Sequence, residues 1–182
     1  MRARTVVLDS NVLFSIELTD LFLTLATRRL VEIRWSEEIL SEIRRSLALS
    51  GRLSPTALTR RLAAMQRALP DATAEVPRAL IEQMEINPAD RHVLALAVAT
   101  GADAIVTFNV RDFPAEYCMP LGVEILTPDE FALETLQSDS DGVMKALSSI
   151  ARRRKLPSMS VGELLDLWQF QLPRFVELAQ GA

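Results

Sequence analysis

Short β-branched apolar segments alternate with helical segments along most of this chain. Residues 5–8 predict a first strand, residues 18–29 a helix with apolar side chains at helical spacing, and residues 31–35 a second strand. Residues 104–106 and 123–126 predict later strands. Strands that alternate with helices are typical of a mainly parallel sheet with right-handed crossovers. The pattern therefore predicts an α/β fold.

Several helix boundaries can be predicted from capping residues. Ser36 is a good N-cap for the helix that follows the second strand, and Ser54 and Pro55 open an arginine-rich helix to about residue 69. Asn87 is expected as the N-cap of a helix that has Asp90 at its third position and ends near residue 100. Residues 127–130 predict a capping box, and residues 74–76 a short strand.

The composition changes near residue 137. The S-D-S-D-G string is expected to be a polar hinge, followed by a helix to about Lys155. After Pro157, Ser160 and Glu163 predict a capping box for a helix over residues 161–170, and Pro173 starts a last helix. We therefore expect a main domain over residues 1–136 and a small helical extension over residues 137–182.

Composition excludes several classes of protein. A chain of 182 residues buries one core with a small attachment. Its single cysteine, Cys118, is expected to be a small loop residue, and it excludes an internal disulfide and agrees with a reducing cytoplasm. No apolar run approaches the length of a membrane span. The net charge of −4 gives no overall attraction to nucleic acid, although arginines cluster locally at residues 44–61 and 152–155.

Acidic side chains occur where strands are expected to end or helices to begin. Asp9 follows the first strand, Asp112 lies in a loop after a later strand, and Asp90 lies early in a helix. Glu38 and Glu42 share one helix face, so spacing alone leaves open which of them joins the others. Ligands of parallel sheets bind at the carboxyl ends of strands. Carboxylates gathered there attract a hard divalent cation, which predicts a metal-dependent hydrolase.

Three polar residues near these acids can assist a metal site. Asn11, Thr107 and Asn109 can orient carboxylates or hold metal-bound waters, although ordinary loop capping explains them equally well. His92 could contact a substrate phosphate, but a structural histidine is the favoured interpretation. Mg²⁺ or Mn²⁺ suits a site of oxygen ligands, whereas zinc prefers nitrogen or sulfur.

Four sequence strings resemble the PIN-domain nucleases, in particular the VapC-like toxins of toxin–antitoxin pairs. These strings are D-S-N, S-E-E-I-L-S-E-I, P-A-D-R-H-V-L-A-L-A and I-V-T-F-N-V-R-D-F-P. The similarity covers about residues 4–133, and the helical tail resembles an extension that one branch of the family carries. The last string is the most specific of the four, because D-x-N alone is common.

The resemblance implies a Rossmann-like three-layer sandwich with a sheet of about five strands and an endoribonuclease site. It selects Glu42 rather than Glu38 as the second acid. It implies a catalytic acidic quartet that binds Mg²⁺ or Mn²⁺ and consists of Asp9, Glu42, Asp90 and Asp112. It also implies three supporting polar residues, Asn11, Thr107 and Asn109.

The resemblance also implies partners. The substrate would be RNA, whose backbone Arg44, Arg45 and Arg91 could position. A cognate antitoxin protein would block the active-site groove, and many members of the family form homodimers. No membrane partner is expected.

Two other functions fit parts of the sequence. A phosphohydrolase that forms an aspartyl-phosphate also has an aspartate after its first strand, but it needs a second aspartate where this chain has Asn11. A non-catalytic module could use the acidic cluster to hold a metal or a basic peptide. A dinucleotide-binding fold is excluded, because no glycine-rich loop follows the first strand.

Overall fold

A computed structural model describes residues 3–154 and 158–181 of the chain. The predicted helix end at Lys155 and the break at Pro157 lie outside these ranges. Four strands form one sheet in the order β2-β1-β3-β4, and each neighbouring pair is parallel. The strands are β1 (Arg4–Leu8), β2 (Val31–Arg34), β3 (Ala104–Val106) and β4 (Glu124–Leu126).

The two central strands are buried over consecutive residues, so both faces of the sheet are covered. All of β3 and residues 5–8 of β1 are buried, which is the mark of a parallel sheet between helical layers. Helix α2 (Ile16–Thr27) packs on β2, and α6 (Arg91–Thr100) packs on β1 and β3. The predicted α/β sandwich is confirmed.

The other helices complete the layers and the C-terminal segment. Their bounds are α1 (Ser10–Phe14), α3 (Glu37–Ser50), α4 (Pro55–Ala68), α5 (Arg78–Glu82), α7 (Ala115–Cys118), α8 (Pro128–Ser138), α9 (Ser140–Arg153), α10 (Val161–Trp168) and α11 (Pro173–Gln180). Two short 3₁₀ turns lie at Val110–Asp112 and Met119–Leu121. No helix in the described ranges is both long and apolar enough to cross a bilayer.

Most of the predicted caps are confirmed. The Ser36 hydroxyl accepts a hydrogen bond from the Ile39 amide at the start of α3, and α4 begins at Pro55 with Ser54 as its N-cap. Both predicted capping boxes form, at Thr127 and at Ser160. Gly101 ends α6 with a φ of 60°, a left-handed conformation that glycine adopts without strain.

Three local predictions differ from the structure. The sheet of the described residues has four strands rather than about five, because residues 74–76 form no strand and only an isolated bridge joins Thr73 to Trp35. Helix α6 begins at Arg91 with Asp90 as its N-cap, so Asn87 is not the cap. Instead the Asn87 carbonyl accepts a hydrogen bond from the Asp90 amide in a turn before the helix. Cys118, expected as a loop residue, is a buried residue at the end of α7.

The predicted hinge before the C-terminal helices is one residue long. Only Asp139 separates α8 from α9, and Gly142 lies inside α9. A Cβ atom at position 142 would lie 2.7 Å from the side chain of Leu30, so this glycine allows α9 to approach the main domain closely. Helices α8 and α11 pack against each other, and α9 packs on α2. The C-terminal helices therefore share the core of the sheet domain.

Candidate active site

Asp9 is a buried carboxylate held in one orientation at the carboxyl end of β1. Its side chain is 7% exposed. The Ser10 amide donates to Oδ1 over 2.6 Å, while the Asn11 side-chain amide and the Thr107 hydroxyl each donate to Oδ2 over 2.7 Å. Burial raises the pKa of Asp9, and the hydrogen bonds from Thr107 and Ser10 lower it in part. The net shift is upward, so the negative charge on Asp9 is disfavoured as the site stands.

The loop after β3 is built around Thr107 and completes the support of Asp9. Thr107 is fully buried, and its hydroxyl accepts hydrogen bonds from the Asn109 amide at 2.9 Å and the Asn11 side chain at 3.0 Å. The Asn11 side-chain oxygen accepts from the Phe108 amide at 3.1 Å. The loop after β3 and the start of α1 are therefore joined through side chains that also hold Asp9.

Glu42 lies on α3 beside His92 of α6. Oε1 of Glu42 is 3.3 Å from Nε2 of His92, but that nitrogen makes no well-aligned hydrogen bond in the described structure. Burial raises the pKa of Glu42, and His92, with smaller contributions from Ser10 and Arg45, more than offsets this, so that the net shift is downward. Burial lowers the pKa of His92, and Glu42 reverses that shift to a net rise. We conclude that the two groups interact electrostatically.

Asp90 is the third acid at the site, and Asp112 influences it. Burial and the negative charges of Asp112 and Asp9 raise the pKa of Asp90, with His92 opposing them. Asp112 is half-buried at the end of a 3₁₀ turn. Repulsion between carboxylates at this edge of the sheet means that a positive charge would be stabilised there.

A cavity of about 290 Å³ brings three of the four predicted acids together. Its lining includes Asp9, Glu42, Asp90, Asn11 and Asn109. Thr107 acts from behind Asp9, and Asp112 acts on Asp90 through its charge. The larger cavities near Arg4 and Met65, of about 540 and 740 Å³, lack such a group of carboxylates.

The donor chemistry of the cavity suits a hard divalent cation. Asp9, Glu42 and Asp90 line one space, and burial, with a further contribution from neighbouring carboxylates, raises the pKa of Asp9 and of Asp90. However, within residues 3–154 and 158–181 no three histidine, cysteine or acidic side chains already converge as a ligand set. Three of the acids line the cavity in this conformation without forming a ligand set.

The three predicted substrate-binding arginines have different surroundings. Arg45 lines the cavity, whereas Arg44 lies on the exposed surface of α3. Arg91 is half-buried and donates from Nε to the Ile86 carbonyl at 3.0 Å. Arg45 is therefore the best placed of the three to meet a phosphate at the cavity.

Sequence reasoning missed Ser10, Ser46 and the structural use of Arg61. Ser10 and Ser46 line the cavity, and the Ser10 amide fixes Asp9. Nη2 of Arg61 donates to the Leu13 carbonyl at 2.6 Å and to the Thr19 hydroxyl at 3.1 Å. These contacts hold the end of α1, which carries Asn11. The position of Ser10 beside Asp9 was a usable signal, but no local pattern indicates the contact between α4 and α1.

Comparison with known families agrees with this geometry. A family model described as PIN domain matches residues 5–111, which is more than half of the chain. The chain belongs to the PIN-domain family. A second family model, described as the VapC50 C-terminal domain, matches residues 128–181. The predicted VapC-like resemblance is therefore confirmed for both parts, and the PIN match ends one residue before Asp112.

One curated relative of this PIN-domain chain is a protein of Mycobacterium tuberculosis named "Putative ribonuclease VapC50". The two sequences are 33% identical over 101 residues, which cover 56% of this chain and 60% of that protein. The matched stretch is thus less than two thirds of the relative's length. No solved structure matches the chain significantly.

Proposed function

We propose that this chain is a Mg²⁺- or Mn²⁺-dependent endoribonuclease, and that it is the toxin of a toxin–antitoxin pair. The observation that carries the proposal is the buried Asp9 carboxylate, which three hydrogen-bond donors orient toward a cavity that Glu42 and Asp90 also line. Burying a carboxylate beside two others costs free energy. Binding of a divalent cation would offset this cost, and the cation would in turn bind a phosphate.

The four acids have two kinds of role in this proposal. Asp9 and Asp90 are the principal metal ligands, and Glu42 and Asp112 complete the site directly or through water. A bound divalent ion would lower the pKa of an attacking water and offset the charge of the scissile phosphate and its leaving oxygen. Asn11 and Thr107 keep Asp9 in place, so little reorganisation is needed when the substrate binds.

The residues around the acids would position the RNA. Arg45 lines the cavity and would contact a phosphate of the RNA backbone, while Arg44 and Arg91 would contribute to the positive field near its mouth. Asn109 lies on the lining and would hold a water or a phosphate oxygen. In this proposal the four acids bind the metal that promotes cleavage, and the arginines orient the RNA backbone.

The relative supports one part of the proposed biological setting, the RNA substrate. The Mycobacterium tuberculosis protein is named "Putative ribonuclease VapC50", and the similarity of the two chains supports RNA as the substrate here. We further propose a cytoplasmic homodimer that a cognate antitoxin blocks. The division into a nuclease domain at residues 1–136 and an extension at residues 137–182 belongs to the same proposal.

RNA cleavage with controlled metal tests the proposal. Purified protein incubated with assorted RNAs should cleave them with Mg²⁺ or Mn²⁺ and should stop when EDTA is added. Asp90→Asn should lose cleavage, whereas Asp166→Asn, which removes an exposed acid on α10, should keep it. Binding of metal without any cleavage would favour a non-catalytic module, and a phosphorylated Asp9 would favour a phosphohydrolase.

A further inference from the structure

Phe108 is an exposed aromatic residue between two residues of the candidate active site. Its side chain is 44% exposed. Thr107 before it holds Asp9, and Asn109 after it lines the acidic cavity. Among the aromatic residues that the structure describes, only Tyr117 and Phe170 are comparably exposed. None of these three rings lines the acidic cavity itself, but only Phe108 lies between two residues of the site, Thr107 and Asn109.

The backbone that carries Phe108 is fixed to the catalytic machinery. The Phe108 amide donates to the Asn11 side chain at 3.1 Å, and Asn11 donates in turn to Asp9 at 2.7 Å. The following amide, of Asn109, donates to the Thr107 hydroxyl at 2.9 Å. The attachment point of the phenyl ring is thus two hydrogen bonds from the carboxylate that would bind the metal.

An exposed phenyl ring on a fixed backbone is suited to stacking. Every nucleobase has an aromatic face, and stacking on a protein ring is tolerant of base identity. A buried neighbour such as Phe113, which is 2% exposed, fills the core and is closed to a ligand. RNA that is cleaved at the cavity would leave the bases on either side of the scissile phosphate close to this loop.

From these contacts we propose that Phe108 forms a stacking subsite for an unpaired base of the RNA, next to the phosphodiester that is cleaved. The inference rests on the proposed ribonuclease function. Phe108 sets the position of the strand, whereas the acids act on the phosphate. A hairpin loop or single strand can present such a base, and a continuous duplex cannot without unstacking it.

Substitution of Phe108 in the intact chain tests the subsite. Binding of a short fluorescent single-stranded RNA is measured by anisotropy in EDTA, and KM and kcat are then measured with Mg²⁺. Phe108→Ala and Phe108→Leu should each weaken binding by about 5- to 150-fold. KM should rise with them, and kcat should change little. Phe108→Trp should keep the wild-type affinity.

Two controls make the result specific to stacking at this position. Phe170→Ala removes a ring that is 96% exposed on the C-terminal segment, and it should leave RNA binding unchanged. Abasic nucleotides placed one at a time in the RNA should identify one position where the wild type loses affinity. At that position, Phe108→Ala should lose little more, because the two changes remove the same contact.

Several results would overturn the subsite. Full affinity in Phe108→Leu would show that an apolar surface suffices without an aromatic face. Unchanged RNA binding in Phe108→Ala, with a loss of dimerisation or of antitoxin binding, would assign the ring to a protein contact. If the wild type cleaved no RNA with either metal, the ribonuclease proposal would itself fail, and the subsite with it.

Discussion

Two buried aspartates, in different parts of this molecule, have different surroundings. Asp9 is 7% exposed at the sheet edge, and Asp129 is 9% exposed on α8. Asp129 accepts hydrogen bonds from the Arg174 and Phe175 amides, at 3.1 and 3.0 Å. These amides open α11, whose own N-cap residue, Leu172, offers no capping side chain. Asp129 therefore caps a helix that is distant in sequence.

The difference lies in the neighbouring charges. Asp129 meets the amide end of a helix, where negative charge is favoured and the orphan donors are satisfied. Asp9 also has donors, but it shares its cavity with Glu42 and Asp90, and burial raises its pKa. Asp129 caps α11, whereas Asp9 lies in a cavity with two other carboxylates. Burial alone does not distinguish the two roles, whereas the partner groups do.

The largest expected effect is on cleavage by Asp9→Asn. The amide retains nearly the same shape but removes the charge that would bind the metal, a contribution of several kcal/mol to the transition state. We expect cleavage to fall by at least about a thousandfold, with the folded structure retained. Initial rates with Mg²⁺ and far-UV circular dichroism measure both properties.

Asp129→Asn is the matched control for that experiment, because it makes the same change at an equally buried aspartate. Its amide oxygen can still accept from α11, so cleavage by the folded variant should remain near the wild-type rate. Wild-type cleavage by Asp9→Asn would contradict the assignment of the site. Equal losses in both variants would mean that the effect comes from folding.

The converse substitution, Asp129→Ala, should affect stability. It leaves the Arg174 and Phe175 amides without their acceptor, and the Phe175 residue is buried. Losing a buried acceptor of this kind costs about 1 to 3 kcal/mol. Urea unfolding should show a lower midpoint than the wild type. The idea that Asp129 docks α11 would be abandoned if the midpoint were unchanged.

The sequence predicted much of the main domain because its signals are local. Ser36, Thr127 and Ser160 cap the helices that they were expected to cap, and the strand before Asp9 lies where its β-branched apolar residues predicted it. The acids could be predicted to meet because parallel strands end at one edge. Their roles as metal ligands remain predictions, since the structure brings them to a cavity without forming a ligand set.

Contacts between distant segments were beyond local patterns. Gly142 belongs to the predicted hinge, but it lies inside α9, and the absence of a side chain there allows Leu30 to pack against this helix. Asn87 has the residue type of a cap, but the chain makes one more turn before α6 starts at Arg91. The contact of His92 with Glu42 joins two helices far apart in sequence. For Gly142 and for the contact of His92 with Glu42, the packing of another element decided the outcome.

Mg²⁺ or Mn²⁺ should stabilise the folded protein by binding at the Asp9 cavity and not near Asp129. A ligand that binds the folded state at ten times its Kd adds about 1.4 kcal/mol, or a rise of about 3 to 6 °C in Tm for a chain of this size. Wild type and Asp129→Asn should both show the rise with Mg²⁺ or Mn²⁺, and Asp9→Asn should lose most of it. Equal shifts in all three proteins would indicate binding elsewhere.

The smallest expected effect is in the pH dependence of stability without metal. Because burial raises the pKa of Asp9, the folded protein binds that proton more tightly than the unfolded chain does. This contribution to stability is present at acid pH and is lost as the pH rises through the folded pKa of Asp9. Asp9→Asn carries no such proton, so its free energy of unfolding should gain on that of the wild type as the pH rises through this range. Urea titrations in EDTA at a series of pH values give the free energy of unfolding of Asp9→Asn minus that of the wild type. If this value stayed constant or fell as the pH rose, burial would not be raising the pKa of Asp9 in the folded protein.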